Sequence, residues 1–459
     1  MLKKKISENA VLTCKNHKDL DTETINKYLP SFKLMENAGK EIFKIIKKKF
    51  NKKKRIKVLC GPGNNGGDGF IVSKFLLENG FNNIDTFCLI KKNNLKGDAK
   101  KAASKIKYNF QNFDNFNISN NDLIIDAIFG SGLKRNITGK VKKIIEKINL
   151  KKSYCISIDI PSGINGDTGE VQGIAIKSDK TVTFTRKKPG HLFSPGKEYS
   201  GKIIIKNIGI NIEKLLFKPS IYENHPNNWI NKFPWPKSKS HKYTRGFSLI
   251  IGGEKMTGAS RLSARGAARI GCGLICLGVP KKSFNIYSVE NPIAIIENIE
   301  NENDLNNVLK DKRINTILIG PGLGLNKKKL RLILRAVQDK NRTIILDADA
   351  LKNDFKKVLL KSKTKIIVTP HEGEFVKILK DLKIKRNKDK LLTAKEFVRK
   401  TGVNLILKGS TTIICSQDNQ ISLNTNSSPF LATGGSGDVL AGMVTGLISQ
   451  KMDIFYASC

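Results

Sequence analysis

Ile56-Lys57-Val58-Leu59-Cys60-Gly61-Pro62-Gly63-Asn64-Asn65-Gly66-Gly67-Asp68-Gly69 is the stretch that decides the fold. A short apolar run passes without a break into glycines, and the residues after it place Ile71, Val72, Phe75 and Leu76 at helical spacing. Strand, glycine turn and helix together make a phosphate-binding unit. Glycines let the backbone come close to a phosphate, and the open N–H groups of a helix start favour an anion. Gly61, Gly63 and Gly66 satisfy GxGxxG, and Asp85 lies nineteen residues after Gly66, where a ribose-binding acid would sit. The pattern alone also describes a tight turn that holds nothing.

Working outward, strand-like runs alternate with helical stretches from Ile56 to Gly209, which predicts a parallel sheet with helices on both faces. Two further runs end in an aspartate followed by small residues: Asp126 closes Leu-Ile-Ile-Asp, and Asp159 closes Ile-Ser-Ile-Asp before Ile-Pro-Ser162-Gly. In an open parallel sheet, ligands bind beyond the carboxyl ends of the strands, so the three loops are expected to share one crevice. A single such aspartate could equally cap the next helix.

The periodicity fails between Lys214 and Lys242, where Pro219, Pro226, Pro234 and Pro236 fall. We read residues 1–215 as one domain, 216–241 as a linker and 242–459 as a second α/β domain. Strands are expected there at Phe-Ser-Leu-Ile-Ile, Leu-Ile-Cys-Leu, Thr-Ile-Leu-Ile, Thr-Ile-Ile-Leu, Lys-Ile-Ile-Val and Asn-Leu-Ile-Leu. The glycine-rich segments of the halves differ in sequence and order, so this is not a duplication.

The net charge of +42 invites a polyanion partner. The lysines, however, are spread along the whole chain among Asn and Ile, residues with A/T-rich codons. Aromatics are only 7%, too few for the stacking that single-stranded nucleic acid asks for. A basic solvated surface is the expectation, with no specific nucleic acid and no membrane partner. Eight cysteines without a CxxC pair or regular spacing make neither a disulfide framework nor a zinc site. With no apolar leader and no run near the ~20 residues that span a bilayer, a reducing cytoplasm follows.

The order Leu34–Gly39 (LMENAG), GPGNNGGDG, DAIFGSGLKRNITG, IDIPSGINGDTGE and KKPGHLFSPG resembles the NAD(P)H-hydrate epimerases across almost the whole first half. That resemblance implies a Rossmann-like fold. It implies substrate contacts at Asn64, Asn65, Gly66, Gly67 and Asp68, at Gly130, Ser131, Gly132, Leu133, Lys134, Arg135 and Asn136, and at Asp159. It further implies a potassium ion on Asn65, Asp126 and Ser162, with Asp126 also a catalytic acid or base. Oxygen ligands suit such a hard ion. Lys188 is a weaker candidate, since a turn lysine is ordinarily solvated.

In the second half, Leu431-Ala-Thr433-Gly434-Gly435-Ser436-Gly437-Asp438 runs into the apolar helical stretch VLAGMVTGLIS. Glycines and a helix start supply donors to a transferring phosphoryl group, and Asp438 stands where it could take a hydroxyl proton. These residues, with HKYTRG, GPGLG, LDADAL and TPHEGE in that order, resemble the NAD(P)H-hydrate dehydratase branch of the ribokinase-like superfamily. The resemblance implies catalysis by Asp438 with ADP or ATP and Mg2+. It places adenine nucleotide on Lys408, Gly409, Ser410, Thr411, Thr412 and Gly437, and hydrate on Ala264, Gly322, His371 and Asp438. Two departures stand out. Glu372 replaces a proline common in relatives, and the chain stops 21 residues after Asp438, where a further helix is expected.

The combined expectation is a homo-oligomeric repair enzyme for hydrated NADH and NADPH, with an epimerase half and a dehydratase half. A small-molecule kinase of the vitamin-precursor type fused to a dinucleotide-binding domain is the alternative. The first half and TPHEGE argue against it.

Overall fold

The computed structural model describes residues 8–459 apart from 109, 152, 215–217, 291 and 353. The chain forms two compact units, Met1–Ile221 and Tyr222–Cys459. The expected boundary between 215 and 216 lies outside the described residues.

The first unit runs α1 (Cys14–Lys27), α2 (Ser31–Lys49), β1 (Ile56–Cys60), α3 (Asn64–Glu78), β2 (Ile84–Cys88), α4 (Gly97–Ser104), β3 (Gln111–Asn112), β4 (Leu123–Ala127), α5 (Gly139–Leu150), β5 (Tyr154–Ile158), β6 (Lys180–Phe184), α6 (Gly196–Ser200) and β7 (Lys202–Lys206). Its seven strands lie in the order β3-β2-β1-β4-β5-β6-β7, every neighbour parallel. β1 and β4 are buried along their whole length, as central strands covered on both faces must be. The order turns around between β1 and β4, and that switch point is where an open sheet leaves a crevice. LMENAG serves packing: Leu34, Met35 and Ala38 join the core, and a Cβ on Gly39 would come within 2.4 Å of Ile71 on α3. Met35 also lies directly under the glycine loop, where a Cβ on Gly67 would meet its Cε at 2.4 Å.

The second unit's sheet begins with β8 (Ile221–Glu223). It continues through β9 (Phe247–Ile251), α7 (Thr257–Arg269), β10 (Leu274–Val279), α8 (Phe284–Glu290), β11 (Ile295–Asn298), α9 (Glu302–Val308), β12 (Thr316–Ile319), α10 (Lys327–Ala336), β13 (Thr343–Leu346), α11 (Phe355–Lys361), β14 (Ile366–Val368), α12 (Glu372–Asp381), α13 (Lys390–Thr401), β15 (Asn404–Leu407), β16 (Thr412–Cys415), β17 (Ile421–Asn424), α14 (Ser436–Ser449) and α15 (Ile454–Ser458). The strand order is β11-β10-β9-β12-β13-β14-β15-β16-β17-β8. Pairing is parallel from β11 to β15 and antiparallel across β15-β16-β17. Here the switch point falls between β9 and β12.

Part of the stretch read as a linker is structural. β8 adds an edge strand, and the Asn224 N–H donates to the Leu423 carbonyl at 2.8 Å. Trp229 donates its indole N–H to Asn224 Oδ1 at 3.0 Å and packs with Phe233 on the core. Aromatic anchors in irregular, proline-rich backbone carry no periodicity, so the pattern hides them.

α14 lies hard against α7. A Cβ on Gly442 would fall 2.0 Å from the Ser263 carbonyl oxygen, and one on Gly446 2.8 Å from that of Ala267. Glycines at four-residue spacing bring the two helix backbones together, and this fixes where α14 begins. Among the described residues no helix is long and apolar enough to cross a membrane.

Candidate active sites

In the first unit the glycine loop leaves β1 and opens α3, whose N-terminus has no side-chain cap, so its first N–H groups stay free for an anion. The loop is tight: a Cβ on Gly66 would lie 1.9 Å from the Gly61 carbonyl oxygen, and one on Gly61 1.8 Å from that of Ile128. The sheet thus brings the turn after β1 against the turn after β4. Gly130 lies beside the Asn65 side chain, 3.4 Å from where its Cβ would be, and residues 130–136 continue as a largely exposed loop.

Asp126, in β4, is fully buried and its oxygens are all engaged. Ser157 Oγ donates at 2.6 Å, Ser162 Oγ at 2.5 Å, Ser162 N–H at 2.8 Å and Ile128 N–H at 3.3 Å. Burial raises its proton affinity, while the Ser157 and Ser162 hydrogen bonds oppose that. Asn65 lies in the same corner with both amide atoms buried and without a partner. A buried amide of this kind is costly unless something meets it, and a cation beside Asn65, Asp126 and Ser162 would do so.

Asp159, after β5, holds a left-handed φ of 68°, unusual for a non-glycine residue. Lys188 Nζ pairs with its Oδ1 at 2.5 Å, and Thr183 donates to the same oxygen at 3.2 Å. Burial alone would raise this carboxyl, but Lys188 overcomes it and the result is about 2. Buried His191 fixes both partners: Nδ1 accepts the Lys188 N–H at 3.0 Å, and Nε2 lies 2.9 Å from the Asp159 carbonyl oxygen. Burial, then Lys188, lowers His191 to about 4, so the ring is neutral and Nε2–H donates. The sequence reading held Lys188 a weaker candidate because a turn lysine is ordinarily solvated; here its side chain is almost fully buried.

The structure adds two groups to this cluster. Asp21 on α1 is raised to about 6 by burial and by Asp159. Half-buried Asp68 is raised well above the carboxylate range by burial, Asp159 and Asp21. Nothing in the sequence linked α1 to this site. It arrives through tertiary contacts, the Cys14 N–H donating to Asp167 Oδ1 at 2.7 Å and Leu12 N–H to the Lys187 carbonyl at 3.0 Å.

Asp85 is a correction. It is the second residue of β2, at the opposite end of the sheet from the glycine loop, and pairs with Lys57 at 3.0 Å. The spacing matched a ribose-binding acid, but the strand starts too late for that residue to reach its carboxyl end.

In the second unit the ends of β9, β12, β13, β14 and β15 gather around the N-terminus of α14. Gly320 (φ 131°) and Gly322 (φ 66°) turn the GPGLG loop so closely that a Cβ on Gly320 would strike the Asp347 carbonyl oxygen. A Cβ on Gly253, after β9, would strike that of Gly322. Asp347, buried after β13, pairs with Lys408 Nζ at 2.9 Å. That ammonium lies 3.2 Å from where a Cβ on Gly437 would be. α14 has no side-chain cap and enters through Gly435 in left-handed conformation. Asp438, half-buried on its first turn, has its proton affinity raised by burial and then by Asp347, with Lys408 opposing. Gly409 and Ser410 are exposed, Thr411 is buried, and Thr412 opens β16.

The remaining hydrate candidates separate. Gly322 faces this crevice. Ala264 is on α7, on the face fully buried in the core. His371 caps α12, its Nδ1 accepting from the Gly373 and Glu374 N–H groups at 3.0 and 3.3 Å, while the ring stays largely exposed. Asp347 was visible in LDADAL but not singled out; an aspartate at the end of a buried strand was the available signal.

Residues 31–190 match the family described as YjeF-related protein N-terminus, and residues 248–459 that described as NAD(P)H-hydrate dehydratase. The bifunctional NAD(P)H-hydrate repair enzyme of Dictyoglomus turgidum is 33% identical over 96% of this chain and 89% of its own. That of Coxiella burnetii is 30% identical over 96% and 90%. Among solved structures, the ADP/ATP-dependent NAD(P)H-hydrate dehydratase of Bacillus subtilis, co-crystallised with ATP and Mg2+, is 26% identical over 51% of this chain and 84% of its own, with a TM-score of 0.42. With both halves matched in order and relatives aligned along nearly its whole length, this chain belongs to the family of bifunctional NAD(P)H-hydrate repair enzymes.

Proposed function

We propose that the first unit interconverts the R and S hydrates of NADH and NADPH, and that the second removes water from the S hydrate with ADP or ATP and Mg2+. The observation that carries this reading is the pair of crevices, each at a sheet's switch point and each with an uncapped glycine-led helix bearing a carboxylate of raised proton affinity, Asp68 in one and Asp438 in the other.

A ring carbon that bears a hydroxyl next to nitrogen is inverted when the hydroxyl leaves as water with an added proton and water returns on the other face, giving that proton back. Such a site needs a proton donor and a fixed anion beside the transient ring cation. Groups whose environments push their proton affinities apart divide these roles. Asp68, raised and half-exposed, holds the proton, and Asp159, held ionised by Lys188, is the anion. Asp126 is fully buried and hydrogen-bonded at both oxygens, so it serves as a positioning group through Ser162, whose Oγ accepts the Phe129 N–H at 2.8 Å. Potassium would be held by Asn65, Asp126 and Ser162, supplying positive charge that favours ionised Asp126.

In the second unit the S hydrate's hydroxyl oxygen attacks the terminal phosphorus while Asp438 takes its proton, converting ADP to AMP or ATP to ADP. Lys408, Gly409, Ser410, Thr411, Thr412 and Gly437 would hold the phosphates. Phosphate then departs with the C–O electrons as the neighbouring ring carbon loses a proton, which restores the double bond of the reduced nicotinamide.

All eight cysteines are free thiols, which fits a cytoplasmic enzyme, and a homo-oligomer is the assembly we expect, to be read by light scattering. The functional test is hydrated NADH with ADP or ATP and Mg2+, followed by reduced-nicotinamide absorbance, alongside chromatography of the two epimers with and without potassium. Failure to recover absorbance with either nucleotide removes the dehydratase reading, and epimers that do not exchange remove the other.

A further inference from the structure

A cavity of about 260 Å³ lies beyond the carboxyl end of β2, lined by Ile90, Lys91, Lys92, Phe110, Gln111 and Asn112. Its floor is tied to the glycine loop, because the Leu89 N–H donates at 3.0 Å to the carbonyl of Cys60, the residue before Gly61. It therefore occupies the β2 side of the same crevice. In a sheet of this strand order, a dinucleotide with its diphosphate on the glycine loop sends one ribose to the end of β2. A carboxylate there binds the 2′-hydroxyl, whereas a cation receives a 2′-phosphate.

The chemistry of the cavity is one-sided. No carboxylate lines it. Asp85 is not part of the lining: it sits at the other end of β2, where Lys57 pairs with it and the Gln111 side chain donates to it at 3.5 Å, and the next acid along the chain, Asp98, belongs to α4. Lys91 and Lys92 are both exposed, and neither is within ion-pair distance of a carboxylate among the described residues. Lys92 Nζ sits 5.7 Å from the Phe110 ring centroid, which keeps it over the cavity. A third ammonium, Lys140, donates to Asn112 Oδ1 at 3.0 Å, though Asp114 neutralises it. Phe110 and Ile90 leave apolar walls for a flat base.

We propose that this cavity takes the adenosine end of the hydrated dinucleotide and that Lys91 and Lys92 receive its 2′-phosphate, so that the epimerase unit prefers hydrated NADPH to hydrated NADH. The inference rests on the epimerase reading above and names its substrate preference.

The test compares the full-length protein with Lys91→Ala/Lys92→Ala, using both hydrates and, by calorimetry, NADP+ and NAD+. Two charge-assisted contacts are expected to make KM for hydrated NADPH rise on the order of tenfold in the double variant, with hydrated NADH little changed. The wild-type preference should also weaken with added salt. Equal handling of both hydrates by the wild type, or an equal loss for both in the double variant, overturns the inference while leaving the epimerase reading intact. Should neither hydrate be epimerised, the reading fails instead, and the calorimetry still decides the cavity: NADP+ binding unchanged in the double variant overturns it.

Discussion

The two units place a carboxylate at the end of a central strand and use it differently. In the first, Asp126 and Asp159 are already saturated by Ser157, Ser162, Thr183 and Lys188, so ligand enters a wired site. In the second, Asp347 holds Lys408 against Gly437 and leaves Asp438 half-exposed beside exposed loops at Gly409, Ser410 and residues 431–434. The contrast follows from the chemistry each must do. Removing and returning a hydroxyl at one ring carbon rewards fixed charges, whereas phosphoryl transfer must admit and release a nucleotide that brings its own charge.

The largest effect separates the two sites outright. Asp438→Asn should slow dehydration about 10³-fold, within the range of losing a general base, and leave epimerisation at the wild-type rate. A coupled loss of both would break the picture of two independent sites. Next, Asp68→Asn should slow epimerisation about 10²-fold and spare dehydration. In the wild type, epimerisation should fall on the alkaline side, as the proton Asp68 holds is lost; a rate flat with pH would remove it as the donor.

The second unit's openness makes Asp438 tunable. Asp347 and Lys408 are the charged groups acting on Asp438, from the ends of β13 and β15, while α7 meets it through Ser263, whose Oγ donates to the Asp438 backbone oxygen at 2.9 Å. Removing the Asp347 charge lowers the proton affinity of Asp438, so Asp347→Asn should move the acid limb of the dehydration profile to lower pH. Lys408→Gln, at saturating nucleotide, should move it the other way. Shifts of about half to one pH unit are expected for neighbours of this kind, and limbs that move together would mean the pair only supports the fold.

The same contrast explains what the sequence reveals. Strand, glycine and helix at residues 56–78 and glycine loop and helix at 431–449 are local, and so are Asp126, Asp159 and Asp438, each set by its own strand end or helix start. Asp21, Lys188 and Asp347 matter through partners 29 to 138 residues away, as between Lys188 and Asp159 or Asp21 and Asp159, and no local pattern records such pairing. Asp85 shows the converse, since correct spacing placed it at the wrong end of the right strand.

The smallest effect concerns acid stability, and it belongs to the wired site. His191 is neutral in the fold, with its affinity lowered from the usual histidine range to about 4 first by burial and then by Lys188. The unfolded chain takes up its proton near pH 6.5, so between about 6.5 and 4 the unfolded state binds more protons and stability falls as pH falls. His191 thus contributes fully above 6.5 and loses that contribution on the way to 4. Asp68 and Asp21, raised in the fold, work in the opposite sense, so total stability is a poor readout. The difference between wild type and His191→Gln isolates the one residue. The gap in melting temperature of the first unit should be widest near pH 7 and shrink steadily toward pH 4.5. In the second unit no buried histidine is present among the described residues, and its melting should show no such dependence on the variant. A gap that stays constant with pH would mean that His191 contributes through packing alone, and that the Lys188–Asp159 arrangement does not depend on its being uncharged.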